Sequence, residues 1–334
     1  MSSPHRIDVH FHTVPPAFVE AIRRDGINAR TPEWSPDLAL SMMDRHGIAA
    51  AVTSLSVPGT HFGDDAKARV LTRQCNDYYA QCVAGHPDRF GAFGSTSLPD
   101  VEAACADVAY ALDTLKLDGM GLLTNYAGKY LGHPDFDPVL QELDRREAVV
   151  LIHPTFPPYG QAVSIGVPPF LVEYLFETTR AATSLVFSGA LDRFPRIRFI
   201  LSHAGGTLPY AAWRIADIAW RQLAQEEHAA KYPLPLIEQE RERMSLDTVL
   251  SRLRRFWYDT ALSPGAQTLG ALQAVADPSR ILFGSDWPYA PETMTADSIA
   301  SLSAAGLLTE AQRADVERNN ALQLFPRLAR ALRL

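Results

Sequence analysis

The sequence predicts one closed (β/α)8 barrel with insertions in the loops at its mouth, and three observations carry that prediction. Eight short apolar runs recur along the 334 residues, the stretches between most of them have helical spacing, and polar residues able to bind a metal end four of the runs. Strands alternating with helices indicate a parallel sheet. Eight such units fit a closed barrel better than an open doubly wound sheet, and the functional groups of such barrels gather at the C-terminal ends of the strands. Single barrels run to about 250 residues and grow by loop insertion. Residues 1–334, 47% of them hydrophobic, are therefore read as one domain.

The eight runs are residues 6–12, 49–57, 90–98, 119–124, 148–153, 197–203, 256–260 and 281–286. Between the third and fourth, Val101, Ala104, Val108, Leu112 and Leu115 recur at three or four residues, so 101–116 reads as an amphipathic helix. Three segments exceed an ordinary connection. Trp34 and its neighbouring prolines mark an insertion after the first run. Residues 156–170, with Pro157, Pro158, Pro168 and Pro169, read as a loop over the mouth. Residues 221–250 are charged and read as helical. No glycine-rich phosphate loop of the dinucleotide type is present, because Gly284-Ser285-Asp286 and Ala204-Gly205-Gly206 are too short.

Composition excludes several partners. The formal charge is −7 and basic stripes are absent, so no nucleic acid is expected. No apolar stretch approaches about 18 residues, so no membrane span is expected. The cysteines, Cys75, Cys82 and Cys105, are odd in number and form no C-x-x-C pair. That pattern argues for a reducing compartment, and with no apolar signal core in the first 12 residues a cytoplasmic location is expected.

His10 and His12 end the first run, His153 the fifth, His203 the sixth and Asp286 the eighth. Residues i and i+2 of a strand point to one face, roughly 7 Å apart, so His10 and His12 can reach the same ion. His153 and Asp286 complete a mixed nitrogen and oxygen set suited to zinc first, or to manganese or another first-row ion, with a position left for water or substrate. Asp8 shares the parity of the two histidines but lies deeper, and reads as a buried orienting group. A lone strand-end histidine is more often packing than ligand. The conjunction at one end of one barrel is what carries the site. His61, after the second run, is a further candidate to line the mouth.

At this point the sequence resembles a known family. R-I-D-V-H-F-H (6–12), V-V-L-I-H-P (149–154), I-L-S-H-A-G-G (200–206) and I-L-F-G-S-D-W-P (281–288) resemble the amidohydrolase superfamily across nearly the whole chain. Within it the sequence looks like the branch of aminocarboxymuconate-semialdehyde decarboxylase and the decarboxylases of γ-resorcylate, 5-carboxyvanillate and 6-methylsalicylate. L-G-H-P-D-F-D-P-V-L (131–140) and F-E-T-T-R (176–180) make it most similar to the 6-methylsalicylate type.

The resemblance implies metal ligands His10, His12, His153 and Asp286, with His203 as a proton carrier beside them. It implies that Arg214, in P-Y-A-A-W-R, reaches the neighbouring subunit's site to hold a substrate carboxylate, and hence a homodimer or higher homo-oligomer; a surface salt bridge is the simpler reading of that arginine. The fourth run, G-M-G-L-L-T-N-Y, lacks the lysine or glutamate of two-metal members, so one ion is expected. The implied reaction is non-oxidative decarboxylation of a small hydroxylated aromatic or related unsaturated carboxylic acid. Phe156, Tyr126, Trp287 and Tyr289 are the candidates to pack on its ring, each with loop or core packing as the plainer alternative. Two rivals stay open: hydrolysis of an ester, lactone or amide on the same ligands, and, more remotely, a barrel that binds a ligand without catalysis.

Overall fold

In the structure, a computed structural model, residues 5–159, 165–232, 234–304, 306 and 308–332 are described. Eight parallel strands follow one another around the sheet. They are β1 (Arg6–His12), β2 (Ile48–Ser54), β3 (Phe90–Gly94), β4 (Gly119–Leu123), β5 (Val149–His153), β6 (Arg198–Leu201), β7 (Trp257–Asp259) and β8 (Ile281–Leu282). The segment after β8 closes the ring on β1 through backbone hydrogen bonds. Val9 N–H donates to Phe283 O at 3.0 Å, Asp286 N–H to His10 O at 2.7 Å and His12 N–H to Trp287 O at 2.7 Å. The predicted barrel is thus the observed one.

Several runs outlast their strands. Residues 55–57, 95–98 and 283–286 leave the ladder and continue into the mouth. Almost all of these residues are buried there although many are polar, so the pattern of the runs alone cannot mark where pairing stops.

The helical layer follows the expected spacing. Ser35, Asp64 and Asp100 cap the helices Pro36–His46, Asp65–Gly85 and Val101–Ala109 by accepting from the backbone N–H three residues on. The expected 101–116 helix ends as a π turn, Tyr110–Thr114. The charged 221–250 stretch is broken into Glu226–Lys231, Pro235–Glu240 and Leu246–Leu253. Of the mouth loop 156–170, residues 160–164 lie outside the described residues. No helix among the described residues is long and apolar enough to cross a membrane. Cys75 and Cys82 are buried on the helix Asp65–Gly85 and unpaired; burial pushes their thiols up to about 12 and about 11, so both act as packing groups.

The lower half of the barrel is solid. Ile7, Val9, Ala50, Val52, Phe93, Val149, Leu151, Ile200 and Leu282 fill it, and Ala321, Leu324, Phe325 and Leu328 cover it from below. The strand-end residues singled out by the sequence lie at the opposite end. There the chain leaves β6 through four consecutive residues with positive φ: His203 (55°), Ala204 (56°), Gly205 (76°) and Gly206 (67°). Gly206 is required by space as well as by φ, since a Cβ would stand 2.0 Å from Leu175 O.

Two predictions follow from these contacts. Gly206→Ala should lower stability by on the order of 3 kcal/mol, read as a fall in the denaturation midpoint. The second concerns Glu292, which joins the helix Pro36–His46 to the helix Glu292–Leu302. Arg45 Nε donates to Glu292 Oε1 at 2.7 Å and His46 Nε2 lies 2.9 Å from the same oxygen. The Arg45 hydrogen bond, followed by that of His46, holds the Glu292 carboxyl at about 2 against an ordinary 4.5. Its contribution is present above pH 4.5 and is lost as pH falls through about 2. The Tm difference between wild type and Glu292→Gln should therefore be constant at neutral pH and shrink to nothing toward pH 2.

Candidate metal centre

Strand ends bring the four expected ligands together. His10 and His12 lie on β1, His153 is the last residue of β5, and Asp286 follows β8 with φ 63°. All four are buried, and one donor atom from each lies within 4.8 Å of the others. The chain can place them so closely because Gly284 stands beside β1: a Cβ there would be 2.7 Å from His10 Cβ.

The donor set fits a divalent ion. Ligands about 2.0–2.1 Å from a tetrahedral zinc stand roughly 3.3 Å apart. His10 Nε2 is 3.2 Å from His12 Nε2 and 3.5 Å from Asp286 Oδ1, and His12 Nε2 is 2.9 Å from Asp286 Oδ1. Despite these approaches Asp286 Oδ1 takes no properly directed hydrogen bond and is buried. An orphaned carboxylate oxygen facing two imidazole nitrogens is satisfied by one shared cation.

The far side of each histidine is tied down, which leaves Nε2 free to bind. His10 Nδ1 is 2.8 Å from Asp259 Oδ2, His12 Nδ1 is 3.1 Å from Ser54 Oγ, and His153 Nδ1 is 2.8 Å from Pro154 O. Such outer partners set the tautomer and the ring plane. Asp259, fully buried at the end of β7, does more. Its Oδ1 accepts from the backbone N–H of His203 and of Ala261, each at 2.9 Å, so one carboxylate orients a ligand and fixes the loop carrying His203. Nothing in the pattern of 256–260 singles out Asp259; its place as a carboxylate at a strand end is the signal that could have found it. Asp8 is buried as expected. It holds backbone rather than an imidazole, accepting from the N–H of His10 at 3.1 Å and of Ser285 at 3.2 Å, and burial pushes its carboxyl up to about 7.

Charge is distributed accordingly. Burial, then the neighbouring His12 and His10, hold His153 well below its ordinary range, and burial also lowers His12. Both are neutral, with a lone pair to give. Burial pushes His10 down as well, but the carboxylates of Asp259 and Asp286 raise it to about 10. Burial raises Asp286, yet the facing imidazoles of His10, His12 and His203 outweigh it and hold the carboxyl well below its ordinary range.

His203 stands beside the cluster, not in it: its Nε2 is 3.4 Å from Asp286 Oδ2, and its Nδ1 is buried without a partner. A cavity of about 260 Å³ opens next to His153, walled by Ser54, His61, Thr96, Tyr126 and Phe156 among others. Tyr126 and Phe156 thus face the space expected of them, as does His61. His61 nevertheless has both ring nitrogens occupied locally, by Asp65 Oδ1 at 2.9 Å and Gly63 N–H at 3.3 Å. Tyr289 sets its ring edge-on to His12 at 5.3 Å, and its hydroxyl is buried without a partner.

Trp287 does not join this group. Its ring packs on Phe11 at 5.0 Å among Ala39, Met42 and Leu302, on the helical side of the sheet, because the backbone pairing of 287 with β1 turns it outward. Arg214 is exposed on the helix Leu208–Ile218, away from the cavity.

The chain matches the model of the amidohydrolase family Amidohydro_2 over residues 7–327. It is 37% identical to the 6-methylsalicylic acid decarboxylase of Penicillium expansum, with 97% of each chain covered. The solved structure of 2,6-dihydroxybenzoate decarboxylase complexed with 2,6-dihydroxybenzoate superposes with a TM-score of 0.78 at 27% identity, covering 98% of this chain and 100% of that one. A dihydroxybenzoic acid decarboxylase from Polaromonas sp. JS666, solved with bound manganese and 2-nitroresorcinol, shares the fold with a TM-score of 0.79 at 23% identity, covering 96% of this chain and 97% of that one. With the match extending over nearly its whole length, the chain belongs to the amidohydrolase family.

Proposed function

We propose that this protein is a metal-dependent, non-oxidative decarboxylase of a small hydroxylated aromatic acid of the 6-methylsalicylate kind. The observation that carries the reading is the complete buried set His10, His12, His153 and Asp286 beside a ring-sized cavity, in a chain whose full-length relative is a 6-methylsalicylic acid decarboxylase. Zinc is the proposed resident ion, since three imidazoles and one carboxylate suit it; manganese satisfies the same donors. The free cysteines accord with a cytoplasmic location.

A divalent ion held there supplies Lewis acidity and a template for the carboxylate and its neighbouring phenolic oxygen. The chain supplies the rest. Tyr126 and Phe156 wall the ring, while Trp287, turned to the helical layer, is left out. The ring carbon bearing the carboxylate takes a proton from the His203–Asp286 pair. The bond to the carboxylate then breaks, its electron pair returns to the ring, and carbon dioxide leaves. Asp259 keeps His203 in place through the backbone.

We also propose a homodimer in which Arg214 reaches the partner's site. No ion pair engages Arg214 among the described residues, against the salt-bridge alternative. Tyr210 and Trp213, on the same helical face, are 88% and 64% exposed, and large exposed aromatics on one face mark an association surface.

Two experiments test these readings. Metal-loaded protein should hold about one equivalent of divalent ion and release carbon dioxide from salicylate-type acids. His203→Ala should lower kcat by roughly 10²–10⁴-fold with the metal content unchanged. Loss of the metal would make His203 a ligand, and ester or lactone turnover without carbon dioxide release would replace the decarboxylase by a hydrolase. For the dimer, Arg214→Ala and His203→Ala proteins, each inactive alone, should regain about a quarter of the wild-type rate when mixed and re-equilibrated, since half of the dimers then carry one intact site of two. No recovery would place Arg214 outside the partner's site.

A further inference from the structure

The F-E-T-T-R stretch contains a buried carboxylate that the proposed chemistry does not use. Glu177, on the helix Glu173–Phe187, is fully buried. Four donors converge on it: Tyr130 Oη at 2.7 Å and Arg180 Nη1 at 3.0 Å on Oε1, Asn125 Nδ2 at 2.8 Å and Thr124 Oγ1 at 3.4 Å on Oε2. A carboxylate is removed from water this completely only when its lone pairs are met, and here Arg180 comes from the same helix while the other three donors lie 47 to 53 residues away.

Those donors sit where the mouth is built. Thr124 and Asn125 directly follow β4, and each reaches on to the segment after β5. Asn125 Nδ2 also donates to Phe156 O at 3.2 Å, and Thr155 N–H donates to Thr124 Oγ1 at 3.2 Å. Asn125, Tyr126, Thr155 and Phe156 all line the cavity. Tyr130 closes the two-residue hairpin that holds Tyr126. Glu177 therefore grips, from behind the wall, the segment after β4 directly and through Thr124 and Asn125 the segment after β5, while hydrogen-bonding to none of His10, His12, His153 and Asp286.

We propose that Glu177 is the positioning residue that sets this wall, and with it the fit of the substrate ring and its substituents. The charge is essential to the role. A neutral amide in its place accepts at one oxygen and must turn its own N–H groups toward Asn125 Nδ2 or toward Arg180 and Tyr130, so at least one donor loses its partner. The wall then loosens without any change at the reacting atoms.

The inference rests on the decarboxylase reading only for its turnover assay, so it is tested in two arms on Glu177→Gln. In the ligand-free protein, hydrogen exchange at the amides of 124–126 and 155–156 should speed up about tenfold or more, while that of β1 and the metal content stay as in wild type. Tenfold corresponds to about 1.4 kcal/mol, the order expected for losing one hydrogen bond to a charged group. In turnover, KM for 6-methylsalicylate should rise about tenfold with kcat within about twofold, and the preference between 6-methylsalicylate and salicylate should narrow. A lower Tm with exchange in both segments and KM unchanged would make Glu177 a structural residue only and overturn the proposal. If wild type releases no carbon dioxide from either acid, the decarboxylase reading falls, and the exchange arm still decides on Glu177. Should Glu177→Gln fail to fold, Tyr130→Phe removes one donor from outside the cavity; it should show the same changes at smaller size, and unchanged exchange in folded Tyr130→Phe overturns the proposal.

Discussion

The site depends on how the barrel closes. β8 contributes only two residues to the regular ladder, and the seam to β1 is made by the irregular segment that follows it. The hydrogen bond from Asp286 N–H to His10 O spans that seam and places the backbone of one clustered donor against that of another. Asp8, buried beneath, clamps the same two segments by accepting from His10 and Ser285. β1 itself shifts register against β2 between Asp8 and Phe11, an irregularity of the kind that re-aims side chains beside active sites. Closure and placement of the clustered donors are thus one event: a barrel left open at this seam would have neither the eighth strand's carboxylate nor a fixed first strand.

Gathering so many ionisable groups in a buried mouth works against folding. Burial penalises each charge, and three imidazoles near one another cannot all be protonated. The arrangement answers with shared partners. Asp259 serves His10 and the backbone of two residues, Asp286 faces three histidines, and Glu177 collects four donors. Each carboxylate joins elements distant in sequence, so the polar groups that burial makes costly also cross-link the mouth. The apolar lower half supplies the compensating burial without constraining the chemistry above it.

The fold was legible because a barrel repeats itself. Eight alternations of apolar run and amphipathic helix leave few other topologies, and strand-end polar residues then point to one face. The four clustered donors that could hold a metal could be named for that reason. Trp287 could not be placed, since proximity to Asp286 in sequence does not reveal that the seam turns it toward Phe11. Asp259 was hidden because it stands behind the cluster; it acts through His10 Nδ1 and the backbone of His203 and Ala261, the first two contacts made across 249 and 56 residues. Glu177 lay in a recognisable stretch, but its four partners come together only once β4, its hairpin and the following helix are packed. Roles that act through another residue leave no spacing to read.

The floor of the barrel has a consequence for how the protein is made. β1 emerges first, yet the residues that cover it from below, Ala321 to Leu328, come at the other end of the chain. His5 waits 312 residues for its partner Glu317. At about 5–20 residues per second of synthesis, that gap is roughly 15–60 s. Until then Ile7, Val9 and the inner faces of the later strands lack the cover they have in the fold. The barrel therefore cannot be completed from below until its last helices have been made, however early its first strand is available.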